Sequence, residues 1–440
     1  MILSKINYYL FLFLPIFLII GPFLSDLSII LIDLIFLYYI FKNKNYKILN
    51  NFYFKFLFIF WLYISFRSLF SEDISFSLKS SLSYIRFPLF IFAIYFFLKK
   101  NNEFIHLFYK VLFITYLILC FDAIYQYLFG SNILGFDIQN RDKINGLFDD
   151  EGVLGSYLIR LLPLLISLFF FKYNAKSNQL LFFFIIGLTS FVVFISGSRS
   201  SFILLILFIF FLFLLIKEIR KQLVIFTILS FLSLFLFIEF SPKLKATFYA
   251  TFINPINTIL NTKEIPYGTE DQINNLNLKK DIKEIILDKN KDFVFFTSIY
   301  DSHYRTAFKI FESNKFFGIG NKMYRKMCGK PEYYINKFSC TTHPHNFYIQ
   351  LLAETGLIGF MFILVIFFHM VFILTKEIYA RNVKKTYNYS NQSIFIILSI
   401  FLNLWPIMPS GNIFNNWLSI LIYLPIGFYF YFENYKKINE

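Results

Sequence analysis

About twelve runs of apolar residues, each near the length that crosses the hydrocarbon core of a bilayer, divide this chain and leave little else. They fall roughly at 7–24, 27–41, 52–70, 82–98, 105–129, 153–171, 179–196, 201–216, 222–240, 354–375, 392–408 and 415–432. A water-soluble core cannot hide that much hydrocarbon, and the hydrophobic share of 57% exceeds the roughly 45–50% of soluble domains. The expected fold is therefore an all-α polytopic membrane protein. The 66 phenylalanines accompany many Ile, Lys and Asn residues, a bias that AT-rich coding gives, so they do not argue for carbohydrate stacking.

A net charge of +15 would suggest nucleic acid in a soluble chain; here it reports topology and anionic head groups. Lys42, Lys44 and Lys47, then Lys99 and Lys100, Lys172 and Lys176, Lys217, Arg220 and Lys221, and Arg381, Lys384 and Lys385 fall in alternate connections. Those connections are expected to be cytoplasmic. The intervening ones carry Asp26, Glu72, Asp73, Asp149, Asp150 and Glu151 and face outward. Residues 7–24 end without a small-residue cleavage site, so an uncleaved first helix is expected, and an even helix count puts both termini on the cytoplasmic side.

Three regions follow: residues 1–240 with about nine membrane helices, a single large outward loop at 241–345, and residues 346–440 with about three more helices. The stretch 255–295 is polar and rich in Asn and Lys, either partly disordered or a surface helical excursion. Beyond it, Ala307, Phe308, Phe311 and Phe317 mark an amphipathic helix at the interface, followed by a turn at Gly318-Ile319-Gly320. Cys120 lies in an apolar run, whereas Cys328 and Cys340 bracket a short piece of the outward loop and are expected to pair.

The loop ends in His343-Pro344-His345-Asn346, leading into FYIQLLAETGLIGF. On a helix from Asn346, the side chains of Asn346, Gln350 and Glu354 share one face, and Gly356 with Gly359 permits a close helix approach. A His-Asn pair, nine residues and Gly-x-x-Gly resembles the signature of the O-antigen ligase and O-antigen polymerase superfamily of bacterial membrane glycosyltransferases. Phe360 departs from the small or β-branched residue with which ligases of that family often follow the second glycine. The resemblance spans roughly residues 140–360 at the level of motifs.

Two more places carry the resemblance. Ser196-Gly197-Ser198-Arg199 is similar to the family's Ser/Thr-Gly-Ser-Arg motif, whose arginine is assigned to the pyrophosphate of the lipid-linked donor. Tyr304-Arg305 stands ahead of a helix and a Gly-x-Gly turn, where the family has a second phosphate-contacting arginine. Asn314 and Lys315 replace the usual Asp-Pro there, and Arg325 is the runner-up to Arg305.

The chemistry that the resemblance implies suits these residue types. Guanidinium groups bind phosphate bidentately and keep their charge, so Arg199 and Arg305 are the expected phosphate ligands. A neutral imidazole can take the proton of a sugar hydroxyl, which makes His345 the expected catalytic base, with His343 as helper or cap and Asn346, Gln350 and Glu354 as auxiliaries. Arg86, Asp122, Gln126, Arg141 and Arg160 are ionisable or polar residues for which structural pairing is as good a reading as function. There is no Asp-x-Asp pair in the outward loops, no His-x-x-x-His, no Cys-x-x-Cys and no P-loop, so no metal and no cofactor is expected.

The resemblance implies an inverting, metal-independent glycosyltransferase of the bacterial inner membrane with its site on the periplasmic face. It would move a glycan from undecaprenyl pyrophosphate to the lipid A core as a ligase, or to another carrier-linked repeat as a polymerase. Its partners are the lipid-linked donor, the glycan or lipid A core acceptor and membrane lipids, and nucleic acid is not among them. The long single outward loop favours ligase slightly. A flippase or transporter is the reading from another class, since buried Arg and Asp also suit transport, and an internal repeat would favour it.

Overall fold

A computed structural model describes residues 2–101, 103–138, 143–172, 178–249, 253 and 298–439. The stretch 255–295, Arg141 and Lys176 lie outside the described residues. Helices account for the regular structure among the described residues, with one isolated bridge between Ser131 and Asp137.

The helices in chain order are α1 (Ile2–Leu12), α2 (Leu14–Ile20), α3 (Pro22–Lys42), α4 (Phe52–Ser68), α5 (Ile74–Ser83) and α6 (Arg86–Lys100). Next come α7 (Glu103–Phe129), α8 (Leu154–Lys172), α9 (Gln179–Ile195), α10 (Arg199–Leu215), α11 (Arg220–Phe240) and α12 (Pro242–Phe248). After them stand α13 (Ser298–Ser313), α14 (Tyr324–Met327), α15 (Phe347–Tyr379), α16 (Asn391–Asn403) and α17 (Asn416–Asn439).

Six of the described helices are long and apolar enough to cross a bilayer, seven if the bent pair α1 and α2 is one crossing. Others expected to cross, α9, α10 and α16, are apolar but only 10–17 residues long. The first expected span is broken. α1 and α2 meet at 59°, because Pro15 has no N–H to continue the ladder, and Pro22 opens a new helix after Gly21.

α8 is the hub: it packs on α7, α9, α10 and α16, and 89% of its apolar window is buried. α11 is the reverse, with 11% of its window buried and Phe231 and Phe240 exposed at 70% and 83%. An apolar helix left open on nearly every side belongs in lipid, so this is a multi-pass membrane protein.

The ends of the bundle differ in charge. At one end, a buried pair of Arg381 and Glu377 (2.6 Å) ties α10, α15 and α16, with Arg381 also donating to Leu215 O, Asn391 Oδ1 and Tyr389 O. Arg220 joins Asn382 there, and Lys217 donates to the Arg381 carbonyl. At the other end, Asp73 meets Lys326, Glu72 meets Lys330, and Asp26 holds Arg86 at 2.8 Å.

The eleventh expected span, roughly 392–408, stops early. α16 ends at Asn403, and residues 404–415 form a loop instead. Pro406, Pro409 and Gly411 forbid a continuous helix there. Both ends of the loop are clamped by arginines, Arg160 buried and Arg86 half-buried. Arg160 on α8 donates to Asn403 O (3.0 Å) and Oδ1 (3.1 Å), and Arg86 donates to Asn416 Oδ1. Asp122 and Gln126 do comparable work on residues 130–138 and 143–148, accepting from the amides of Ile133 (3.0 Å) and of Gly146 (2.8 Å). These four residues therefore hold loops in place.

Candidate active site

α15 is severed one third of the way along. Gly356 has φ 64 and ψ −170, a conformation open only to glycine, where the sequence pattern suggested a close helix approach. What approaches is the loop after α13. In an unbroken helix, Ala353 O and Glu354 O would accept from the amides of residues 357 and 358. Here they accept from Ile319 N (3.1 Å) and Gly320 N (2.8 Å), while Leu357 N donates to Lys315 O (2.8 Å) and Ile358 N to Phe316 O (3.3 Å). Two helical hydrogen bonds are thus replaced by four to the inserted loop. The backbones meet so closely that a methyl on Gly318 or Gly356 would strike the other segment's main chain. Tyr63 donates to Thr355 O (2.6 Å) and Arg67 Nε to Gly318 O (2.9 Å), so α4 closes the joint from outside.

Glu354 turns this joint into a scaffold. It is fully buried; Oε2 accepts from Lys322 N and Gln350 Nε2, both at 2.9 Å, and Oε1 from Tyr324 N at 3.0 Å. Gln350 in turn donates to Asn412 Oδ1 at 2.9 Å. Asn346 caps α15, its Oδ1 accepting from Tyr348 N and Ile349 N, and its Nδ2 donates to Pro406 O at 2.8 Å. The polar face of α15 therefore binds the loop at 404–415 on one side and the 320–324 turn on the other.

On α13, Ala307 and Ile310 are buried, whereas Phe308 is exposed; Phe317, also assigned to the apolar face from sequence, lies past the end of the helix and is exposed. Tyr324 ties this helix to the final approach, donating to Ser339 O at 2.6 Å and lying 3.3 Å from His303 O. The Cys328 and Cys340 sulfurs are joined in the structure, with Cα atoms 5.2 Å apart. A loop of this size closed by a disulfide is worth about 2–3 kcal/mol. Non-reducing peptide mapping should recover the linked pair, and Cys340→Ser should lower the melting temperature; free alkylated thiols at both positions would refute the pairing.

Three imidazoles gather at the end of that approach. The ring centroid of His345 lies 4.4 Å from His343, 5.3 Å from His303 and 5.5 Å from Tyr300. His343 Nε2 faces Ser410 O at 3.3 Å and its Nδ1 faces Thr342 Oγ1 at 3.0 Å. A carbonyl only accepts, so Nε2 carries the proton and Nδ1 accepts from the threonine. Both nitrogens of His343 are committed. Among the described residues neither ring nitrogen of His345 has a hydrogen-bond partner, and that ring is only partly covered. His345 has φ 56, a left-handed conformation costing about 1–2 kcal/mol, and is held there by Ser410, whose N–H donates to His345 O at 2.8 Å and whose hydroxyl accepts from Phe347 N at 2.9 Å.

Burial is the main cause that holds both rings neutral. It lowers His345 to about 4, aided by His303, and His343 to about 3, aided by His345. His303 is lowered as well, again chiefly by burial. Among the described residues His345 is thus an uncharged imidazole with both nitrogens uncommitted, whereas His303 leaves only its buried Nδ1 without a partner.

The expected phosphate ligands separate. Arg199 is exposed at the first turn of α10, in the neighbourhood of Tyr300, whose ring packs on His345. Arg305 pairs with Asp301 one turn back at 2.8 Å, and at 100° per residue it points about 200° away from His303 around α13. Arg325 lies on the His343 side, close enough to influence both His343 and Glu354. Sequence reasoning missed His303, Tyr300 and the Ser410-bearing loop. Clustering of three of only five histidines on one segment, and the Pro406, Pro409 and Gly411 breakers, were the available signals.

No curated protein matches the chain. Residues 181–364 match the family model described as O-antigen ligase. That stretch runs from α9 through Arg199, α13 and the imidazoles to just past the break in α15, and the match supports the O-antigen ligase superfamily for that part of the chain.

Proposed function

We propose that this protein is an inverting, metal-independent glycosyltransferase, moving a glycan from undecaprenyl pyrophosphate to the lipid A core on the periplasmic face of the bacterial inner membrane. The observation that carries it is His345, a neutral imidazole with both nitrogens uncommitted, set with Arg199 in the family-matched segment. Its role is to accept the proton of an acceptor hydroxyl as that oxygen attacks the anomeric carbon. The bond to the pyrophosphate breaks on the opposite face, its electron pair leaving with the phosphate oxygen, and one displacement inverts the centre. Arg199 stabilises the developing charge on the leaving group, which a partly dehydrated site strengthens. Arg305 joins it only by giving up Asp301.

The separation of Arg381 and Lys217 from Asp26, Glu72 and Asp73 at opposite ends of the bundle supports placing the imidazoles outside. The second reading, polymerase, rests on Phe360, which departs from the ligase pattern and packs against Tyr348 at 6.0 Å. Purified protein in proteoliposomes with lipid-linked glycan donor should glycosylate lipid A core in EDTA. Arg199→Lys should lose about 10–100-fold in rate, because a point charge does not replace the planar fork. Longer carrier-linked glycan with no glycosylated core would instead identify a polymerase, and translocation of unmodified donor a flippase.

A further inference from the structure

The turn leading from α13 to α14, on the His343 side, carries more positive charge than the nearby carboxylates neutralise. Lys322 and Arg325 both leave from the turn whose amides, Lys322 N and Tyr324 N, are fixed on the Glu354 carboxylate at 2.9 and 3.0 Å. That anchoring makes the turn rigid, and Lys322 sits in it with φ 59. Among the described residues neither side chain makes an ion pair or a hydrogen bond, although Arg325 Nε is buried. The guanidinium stands 5.9 Å from the Phe76 ring, which shields it from one side. The nearby carboxylates are engaged elsewhere: Asp26 holds Arg86 at 2.8 Å, and Glu354 takes two amides and Gln350. Burial, then the charge of Arg325, keeps the Lys322 ammonium below its ordinary value, so the two cations repel in a partly dehydrated place.

Two fixed, mutually repelling cations without acceptors are the receptor for a multiply charged anion. Their position matters as much as their charge. Arg199 opens α10, whereas Lys322 and Arg325 lie on the turn and short helix between α13 and α15 that Glu354 anchors, so the two cationic places belong to different elements.

We propose that Lys322 and Arg325 form a second phosphate subsite, which holds a phosphate of the acceptor while Arg199 holds the donor's pyrophosphate. This rests on the transferase reading above. A phosphate anchored there would hold the acceptor while its hydroxyl is presented to His345. The phosphate has two sources, the lipid A core or the pyrophosphate of a second carrier-linked glycan.

Native mass spectrometry on the full-length protein, carrying Arg199→Ala to silence the donor side, tests it with three probes. These are phosphorylated lipid A core, the same glycolipid dephosphorylated with hydrofluoric acid, and undecaprenyl pyrophosphate. At least one phosphorylated probe should bind about tenfold more tightly than the dephosphorylated glycolipid. Lys322→Ser and Arg325→Gln should each erase that preference while leaving the dephosphorylated probe bound as before, which also reports an intact fold. Should Arg325→Gln bind nothing, Lys322→Ser and the charge-keeping Arg325→Lys decide. Erasure for lipid A core only, or for undecaprenyl pyrophosphate only, names the source and supports the subsite. Absence of any phosphate preference, or a preference that survives both substitutions, overturns it. Because binding is read without turnover, a protein that transfers nothing would sink the transferase reading and leave this result standing.

Discussion

His345→Ala is expected to slow transfer by about 10²–10⁴-fold, the usual contribution of a positioned general base, while the protein still inserts and purifies normally. The backbone contacts that fix this position, Ser410 N to His345 O above all, do not depend on the ring. Asparagine tolerates the left-handed backbone better than alanine, so His345→Asn should lose as much activity at a smaller structural cost. The pH dependence has a definite sign. With its pKa lowered to about 4, His345 is neutral and competent above that value and loses its basicity as pH falls through it. Initial rates in proteoliposomes should be level between pH 6 and 8, about the range of physiological working pH, and decline only in strong acid. A limb near the ordinary histidine pKa, or a loss below tenfold in both variants, would remove His345 as the base.

Gly356→Ala should be the most damaging single methyl in the chain. It forces an L residue into a φ and ψ that only glycine adopts, and the added carbon meets the Phe316 carbonyl. Strain of that kind costs about 1–3 kcal/mol, and loss of the inserted loop's hydrogen bonds adds to it. The loop at 314–320 would have to withdraw, taking with it the amides that Glu354 fixes. Both the melting temperature in detergent and transfer should fall together. Gly411→Ala is the control, since its methyl would only touch Leu418 at 3.8 Å. Equal behaviour of the two variants would mean that the break in α15 is not what the chain depends on.

What was legible in the sequence was whatever hydropathy and local motifs encode. Apolar runs gave a polytopic helical protein, and the spacing from His345 to Gly359 gave the family. The polar stripe of Asn346, Gln350 and Glu354 was legible as a stripe because helical periodicity is local. Its partners were not, since Asn412, Pro406 and the Lys322 amide are joined to it only by tertiary contacts. The break at Gly356 escaped because glycine spacing reads equally as close packing or as a kink, and only the loop from α13 decides between them. For Arg160 and Arg86 hydropathy left structural pairing and function equally open; their work on Asn403 and Asn416 depends on where a distant loop lies.

Those two arginines have a consequence for how the protein can be divided or recombined. The family-matched segment, residues 181–364, contains His345 and Arg199 but not the floor on which His343 and His345 rest, which is the loop bearing Ser410. That floor is held by Arg86 and Arg160, both upstream of the segment. Sequence is shared over one stretch while geometry is supplied by the two others. A chimera that exchanged residues 181–364 alone would carry foreign imidazoles over a native floor, so the heritable module of this site is the entire bundle and not the portion by which kinship is detected.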